Sequence, residues 1–350
     1  MSDGILLAEA VERLHPDPFR AIAREQFFAA AGGADTRVEL MQLPALLGDR
    51  NGHTAVHPIG DHPRPFHMFP LAPYEFDDGV FVVAAEAPEL VGRELQAVEG
   101  VPVEELNEVV APLVARDNAW TMRARRPVFA VTLEVLEGLG IADGPEVTFR
   151  LGDRDVRLEP VADSHARVGS GDRLPNGGAD RRIEPIGDAL HFTYHVTRGD
   201  TTGFARAITA ASAQADRVVL DLRWNSGGNN QTYGPLLDAL ERLAAAGKRL
   251  AVLTSRVTFS AAMQLVVDLE QRTPAVFVGE PTGGSPNQYG DAVAVELPRS
   301  GLTARVATVW WTTAGEDDER VTREPDIFVP VTAGEYFAGE DPVLRAALEI

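Results

Sequence analysis

Three apolar runs in the second half of the chain limit what it can fold into. "RVVLDLRW" (217–224), "RLAVLTS" (249–255) and "PAVFVGE" (274–280) are rich in Val and Leu and show little polar alternation. A strand with one wet face alternates apolar and polar residues; a strand covered on both faces reads as a continuous apolar run. Helix-like segments separate them. "YGPLLDALERLAAAG" (233–247) and "SAAMQLVVDLEQ" (260–271) carry apolar residues at helical spacing. A further pair, "ALHFTYHV" (189–196) and "TGFARAITAASAQA" (202–215), precedes them. The alternation predicts βαβ units around a largely parallel sheet, an α/β domain over 183–350.

The upstream half reads differently. Residues 1–47 are expected to be helical, from "ILLAEAVERLH" and "PFRAIAREQFFAAA", with Pro18 in the first turn of the second helix and Gly32-Gly33 ending it. Residues 48–76, rich in Gly, Pro and His, read as a connector of turns and short strands. Residues 77–160 read as a compact β-rich module with a strand near Leu95–Val98, a turn at Glu99-Gly100 and a helix from about Val103. Residues 161–182, polar and rich in Gly and Asp, read as a linker or long loop.

Composition narrows the function classes. The formal charge of −20 argues against a nucleic-acid partner and against an anionic membrane surface, both of which call for a basic face. There is no cysteine, hence no disulfide, thiolate nucleophile or cysteine metal site. No run reaches the roughly 18 apolar residues that span a bilayer. The N-terminal stretch lacks the pattern of a signal peptide, so a cytoplasmic location is expected.

Two strand ends stand out, because ligands of α/β sheets bind beyond the carboxyl ends of the strands. At "LDLRWNSGGNN" (220–230) a buried strand breaks into Asn-Ser-Gly-Gly. Adjacent glycines let backbone N–H groups face outward, where they suit an anion or a developing oxyanion. A plain turn before a helix has the same appearance. At "RVTFSAAMQL" (256–265) Ser260 lies between the next strand and its helix. A serine there is commonly a helix N-cap; beside a Gly-Gly loop it is also what acyl transfer requires.

"VVLDLRWNSGG", "TFSAAMQLVVDLE", "AVFVGEPTGG" and "PDIFVPV", taken in order, resemble the catalytic domain of the tail-specific, or carboxyl-terminal processing, serine proteases, a family that includes the core of the tricorn protease. "GRELQAVEGVPVEEL" is similar to the end of the family's PDZ domain. The resemblance spans about residues 45–345. It implies a crotonase-like spiral fold, a PDZ-like module and hydrolysis of peptide bonds in a peptide or unfolded protein substrate, without cofactor or metal. It also implies Ser260 as nucleophile, with the backbone of Gly227 or Gly228 and of Ala261 as oxyanion donors.

One position departs from the family. The processing proteases activate serine with a lysine; here "GEPTGGS" puts Ser285 in its place. The tricorn branch uses a histidine ahead of its PDZ-like domain, and "GDRNGHTAV" offers His53 there. Histidine suits a general base because its ordinary pKa lies near working pH. His57, His62 and His67 are secondary candidates. A late glutamate orients the tricorn histidine through a second hydroxyl. Glu319 is the best match by its distance to "PDI", Glu324 the second, while Gly52 stands where that hydroxyl is expected. The alternatives are a catalytically inactive peptide-binding relative and, on "HTAVH", a metallohydrolase. The latter lacks the glutamate of HExxH.

Overall fold

The computed structural model describes residues 1–161 and 180–350, so nearly all of the expected linker falls outside the described residues. The chain divides into two compact units, Met1–Leu174 with Tyr289–Trp311, and Pro175–Gln288 with Thr312–Ile350.

The first unit opens with three helices, α1 (Asp3–Leu14), α2 (Arg24–Gly33) and α3 (Arg37–Ala45). Local chemistry starts two of them. Ser2 Oγ accepts from the Ile5 N–H at 3.3 Å, and Thr36 forms a reciprocal capping box with Glu39. Leu7, Ala8 and Val11 of α1 are fully buried beside Phe27 and Ala31 of α2. The second helix begins later than expected, at Arg24 and not near Pro18. The intervening turn is tied elsewhere: the Asp17 N–H donates to His15 Nδ1 (3.2 Å) and His15 Nε2 meets Asn51 Oδ1 (2.7 Å).

Next come the hairpin β1 (Leu71–Phe76) and β2 (Gly79–Ala85), then β3 (Leu95–Val98), β4 (Val101–Pro102), β5 (Val147–Leu151) and β6 (Arg154–Leu158). The last four form an antiparallel sheet in the order β4-β3-β5-β6. Helices α4 (Val103–Val110), α5 (Ala119–Phe129) and α6 (Leu133–Gly138) accompany them. Glu99 and Gly100 turn with φ of 49° and 77°, the backbone that a tight hairpin favours. Residues 48–70 are turns and isolated bridges.

A later hairpin, Val293–Leu297 with Leu302–Val306, also belongs to this unit. Leu297, Leu302, Ala304 and Val306 are fully buried in the core that holds Leu7 and Phe149. The division thus differs from a single domain over 183–350, because the hairpin's inward residues are buried in the first unit's core.

The second unit is built on a six-stranded sheet. Its strands are β7 (Arg181–Ile186), β8 (Ala189–Tyr194), β9 (Arg217–Asp221), β10 (Arg249–Thr254), β11 (Val276–Gly279) and β12 (Ile327–Phe328). Their order is β12-β11-β10-β9-β8-β7, parallel throughout except for β7 against β8. Helices α7 (Thr202–Ala211), α8 (Gly234–Ala245), α9 (Ala261–Arg272) and α10 (Pro342–Leu348) belong to the unit, with a short helix at Ala333–Phe337. Alternate strand residues feed two cores. Val218, Leu220, Val252 and Phe277 join Leu236, Leu240 and Val266 in one; Val219, Leu253 and Val278 join Val343 and Ala347 in the other. Burial on both faces is the physical cause of the unbroken apolar runs.

Gly4 lies where α1 meets α2. A Cβ there would overlap the Ala31 carbonyl oxygen and come within 2.8 Å of the Ala34 oxygen. Gly4→Ala is expected to cost roughly 1–3 kcal/mol through overpacking, read as a lower denaturant midpoint; an unchanged midpoint contradicts this packing.

Candidate active site

β9 and β10 are parallel neighbours with Asp221 opposite Leu253, so their carboxyl ends lie side by side. The loops that leave them are laced together. Ser255 Oγ donates to the Arg223 carbonyl (2.5 Å), Thr258 Oγ1 to the Leu222 carbonyl (2.9 Å), and the Phe259 N–H to the Asn225 carbonyl (3.1 Å). Asn225 is fully buried and shapes the first loop from inside. Its Nδ2 donates to Tyr194 O (2.7 Å), and its Oδ1 accepts from the Gly227 N–H (2.9 Å) and Thr197 Oγ1 (3.2 Å).

Both glycines are required. Gly227 has φ of 109°, and a Cβ on it would sit 2.5 Å from Ser260 Cβ and 3.0 Å from the Ala261 nitrogen. Gly228 has φ of 138°, and a Cβ on it would overlap the Thr197 carbonyl oxygen. The two differ in what their amides do. Gly227's N–H is committed to Asn225, whereas Gly228 is exposed and its N–H has no acceptor among the described residues.

Ser260 precedes α9 with φ of 55° and ψ of −126°, a backbone state that L-residues rarely adopt. Its side chain makes no capping hydrogen bond to the helix, which removes the ordinary reason for a serine here. The Ser260 carbonyl is held by the Gln264 N–H (3.2 Å) and by Gln288 Nε2 (3.0 Å). Ala261 begins the helix, so its N–H has no intrahelical acceptor. Ser260, Gly228 and Ala261 therefore gather a half-exposed hydroxyl and two uncommitted amides at one corner of the second unit. This is the geometry of a strained strand-to-helix elbow.

A buried ionic cluster supports the corner from the β9 side. Arg223 binds both carboxylate oxygens of Asp221 (3.0 and 2.6 Å) and both of Asp341 (2.8 and 2.9 Å). Burial alone would raise the Asp221 carboxyl; the Arg223 charge and hydrogen bonds from Arg223 and His191 overcome it and hold it well below the usual carboxylate range. Asp341 also caps α10 through the Leu344 N–H (2.9 Å).

Ser285, where the resemblance leads one to expect a lysine, is fully buried and donates to the Val321 carbonyl at 2.7 Å. Glu319 and Glu324 are exposed in the stretch between residue 311 and β12. Sequence reasoning passed over Asn225, Thr258 and Gln288. In "NSGG" the Asn reads as a turn residue, and nothing local marks it as the loop's internal brace.

His53 belongs to the first unit, within a turn that reads "RNGHT". Its pKa is pushed down to about 3, by burial first and then by the Arg125 charge, with Arg305 adding to the effect; a hydrogen bond to the Tyr289 backbone opposes them. Residues 53–57 run from a turn through an isolated bridge at Ala55 into irregular chain, so His53 and His57 do not share a helix face. His62 Nε2 bonds the His57 carbonyl (2.8 Å), and His67 pairs with Glu134 (2.8 Å). Among the described residues no group of three His, Asp or Glu is placed to hold a metal ion, and no helix is long and apolar enough to cross a membrane.

Ser260→Gly is expected to be more stable than Ser260→Ala by about 1 kcal/mol. Relief of positive-φ strain is worth roughly 1–3 kcal/mol and glycine's entropy costs about 0.5–1. Equal stabilities in urea titrations would mean the backbone at Ser260 is not strained.

No protein-family model matches the chain, and no curated protein does. Solved structures do. Mature CPAF complexed with lactacystin matches with a TM-score of 0.68 at 15% identity, covering 99% of this chain and 96% of that one. The photosystem II D1 C-terminal processing protease gives 0.46 at 17% identity, covering 94% of each chain. The tricorn protease gives 0.44 at 14%, covering 99% of this chain and 36% of that one. The chain has the fold of mature CPAF over nearly its whole length.

Proposed function

We propose that the protein is a serine peptidase that cleaves extended or carboxyl-terminal peptide segments through an acyl-enzyme on Ser260. The observation that carries this reading is the Ser260 backbone: a serine in a strained elbow, with no capping bond to the helix, next to the Gly227-Gly228 loop. Ser260 Oγ attacks the scissile carbonyl, and the oxyanion receives the N–H groups of Gly228 and Ala261. Gly227 makes the turn that lets them converge. Fixed donors of this kind act where charge develops and need no reorganisation. His53 takes the serine proton and returns it to the leaving amine; water then releases the acyl group. In the same reading residues 77–160 form a PDZ-like module that binds peptide by strand addition, and the second unit is a crotonase-like spiral.

The base carries a tension. An imidazolium at His53 forms near the Arg125 and Arg305 charges, which disfavour it. Turnover then calls for a compensating anion, and Glu319 is the proposed source. The same weak proton affinity favours the second reading, a non-catalytic peptide-binding relative.

A fluorophosphonate label separates the two. We expect covalent labelling at Ser260 by peptide mapping, none in Ser260→Ala, and a fall of about 10²-fold or more in His53→Ala. A folded protein that leaves Ser260 unlabelled is the non-catalytic relative.

The pH profile follows from His53. The base form persists above a pKa of about 3. The labelling rate should stay level as pH falls through about 6.5, where an ordinary histidine would be half protonated, and decline only on approach to about 3. For stability, the unfolded chain takes up the proton first. His53's contribution is complete above about 6.5 and is lost as pH falls toward about 3. A rate that halves near pH 6.5 would contradict this environment.

A further inference from the structure

Two charged residues of the first unit lie against the turn that carries His53, and the proposed chemistry uses neither. Asp117 is fully buried and Arg125, on α5, is half-buried. They hold the backbone of Gly52, the residue before His53, from both sides. Its N–H donates to Asp117 Oδ1 at 2.7 Å, and its carbonyl accepts from Arg125 Nη1 at 2.8 Å. The same nitrogen donates to the Ala115 carbonyl at 2.7 Å.

The rest of the turn is equally committed. The Arg50 N–H donates to Asp117 O (2.9 Å) and the Asn51 N–H to Arg116 O (3.0 Å). Asn51 Nδ2 donates to Leu47 O (2.9 Å) and Asp49 O (3.1 Å), while its Oδ1 receives His15 Nε2. The His15 tautomer follows, because Nδ1 already accepts from Asp17. The Thr54 N–H returns to Asn51 O (2.9 Å), and Thr54 Oγ1 accepts from the Ala307 N–H (3.0 Å). A turn that only reverses the chain leaves most of these groups to water. Withdrawing a carboxylate and a guanidinium from water is costly, and the arrangement gains rigidity in return.

We propose that Asp117 and Arg125 are positioning residues of His53: they clamp Gly52, the residue immediately before it, and Arg125 presents a fixed positive charge to the ring. That this positioning serves a general base rests on the proposed function; the clamp and the charge do not. The charged groups acting on His53 are Arg125 from α5 and Arg305 from the late hairpin, with the Tyr289 backbone opposing them. Arg305 is exposed, so water screens it more than Arg125. Arg125 itself is pushed toward neutrality by burial, an effect that the Asp117 charge only partly offsets. The surroundings thus disfavour a second cation at His53.

The test is imidazole NMR titration of the full chain. Arg125→Gln keeps an N–H donor without charge and should raise the His53 midpoint by about one pH unit or more. Arg125→Lys keeps the charge and should leave the midpoint low. An unchanged midpoint in the Gln variant, or an equal rise in both, overturns the proposal. Hydrogen exchange on the unsubstituted protein tests the clamp even if a variant fails to fold. The Gly52 amide should exchange at least about 10²-fold more slowly than in a free peptide, and exchange at the free-peptide rate overturns it. If these results hold but His53→Ala still labels at full rate, His53 is not the base and the clamp stands.

Discussion

The candidate site depends on the approach of one backbone to another. Gly227 comes so close to Ser260 and the Ala261 nitrogen that no side chain fits between them, and that contact holds the two loops together at this corner. It exists because β9 and β10 are adjacent parallel strands whose following loops exchange hydroxyl–carbonyl and amide–carbonyl bonds. Sheet register, loop bracing and serine conformation therefore form one mechanical unit. A shift in any of them moves the hydroxyl relative to the two N–H groups, and that spacing governs how well an oxyanion would be received.

The electrostatics of the two units contrast. Around Asp221, Arg223 and Asp341 the charges are buried but mutually satisfied, which keeps the carboxylates ionised and fixes the loop's base. Around His53, burial and the Arg125 and Arg305 charges favour a neutral ring, and the Asp117 carboxylate nearby is engaged with the Gly52 N–H. A neutral imidazole is ready to accept a proton but holds it weakly. Catalysis in such a setting needs substrate or a carboxylate to stabilise the cation once formed.

Much of the second unit was legible in the sequence because two-faced burial writes itself as unbroken apolar runs. The strand at Leu95–Val98 and the turn at Glu99-Gly100 were legible through local turn chemistry. The hairpin at 293–306 shows the limit. Its alternation reveals one buried face, yet nothing in it says which core that face joins. The corner at Ser260 could be proposed from spacing, whereas its positive φ could not, since serine carries no bias toward that state. The bracing of Gly52 by Asp117 and Arg125 is invisible for a related reason: the partners are far apart in sequence and carry no motif.

The late hairpin has a consequence for biogenesis. Leu302, Ala304 and Val306 complete a core whose other members begin at Leu7, while the second unit's sheet waits for Ile327–Phe328 and its ionic cluster for Asp341. Neither unit is a contiguous stretch of chain. As the polypeptide leaves the ribosome, apolar surface from the first unit stays exposed until the segment near residue 306 has emerged. The corner holding Ser260 reaches its final bracing later still. Neither core can close before those late segments are present, and the candidate nucleophile's surroundings are complete only when almost all of the described chain is in place.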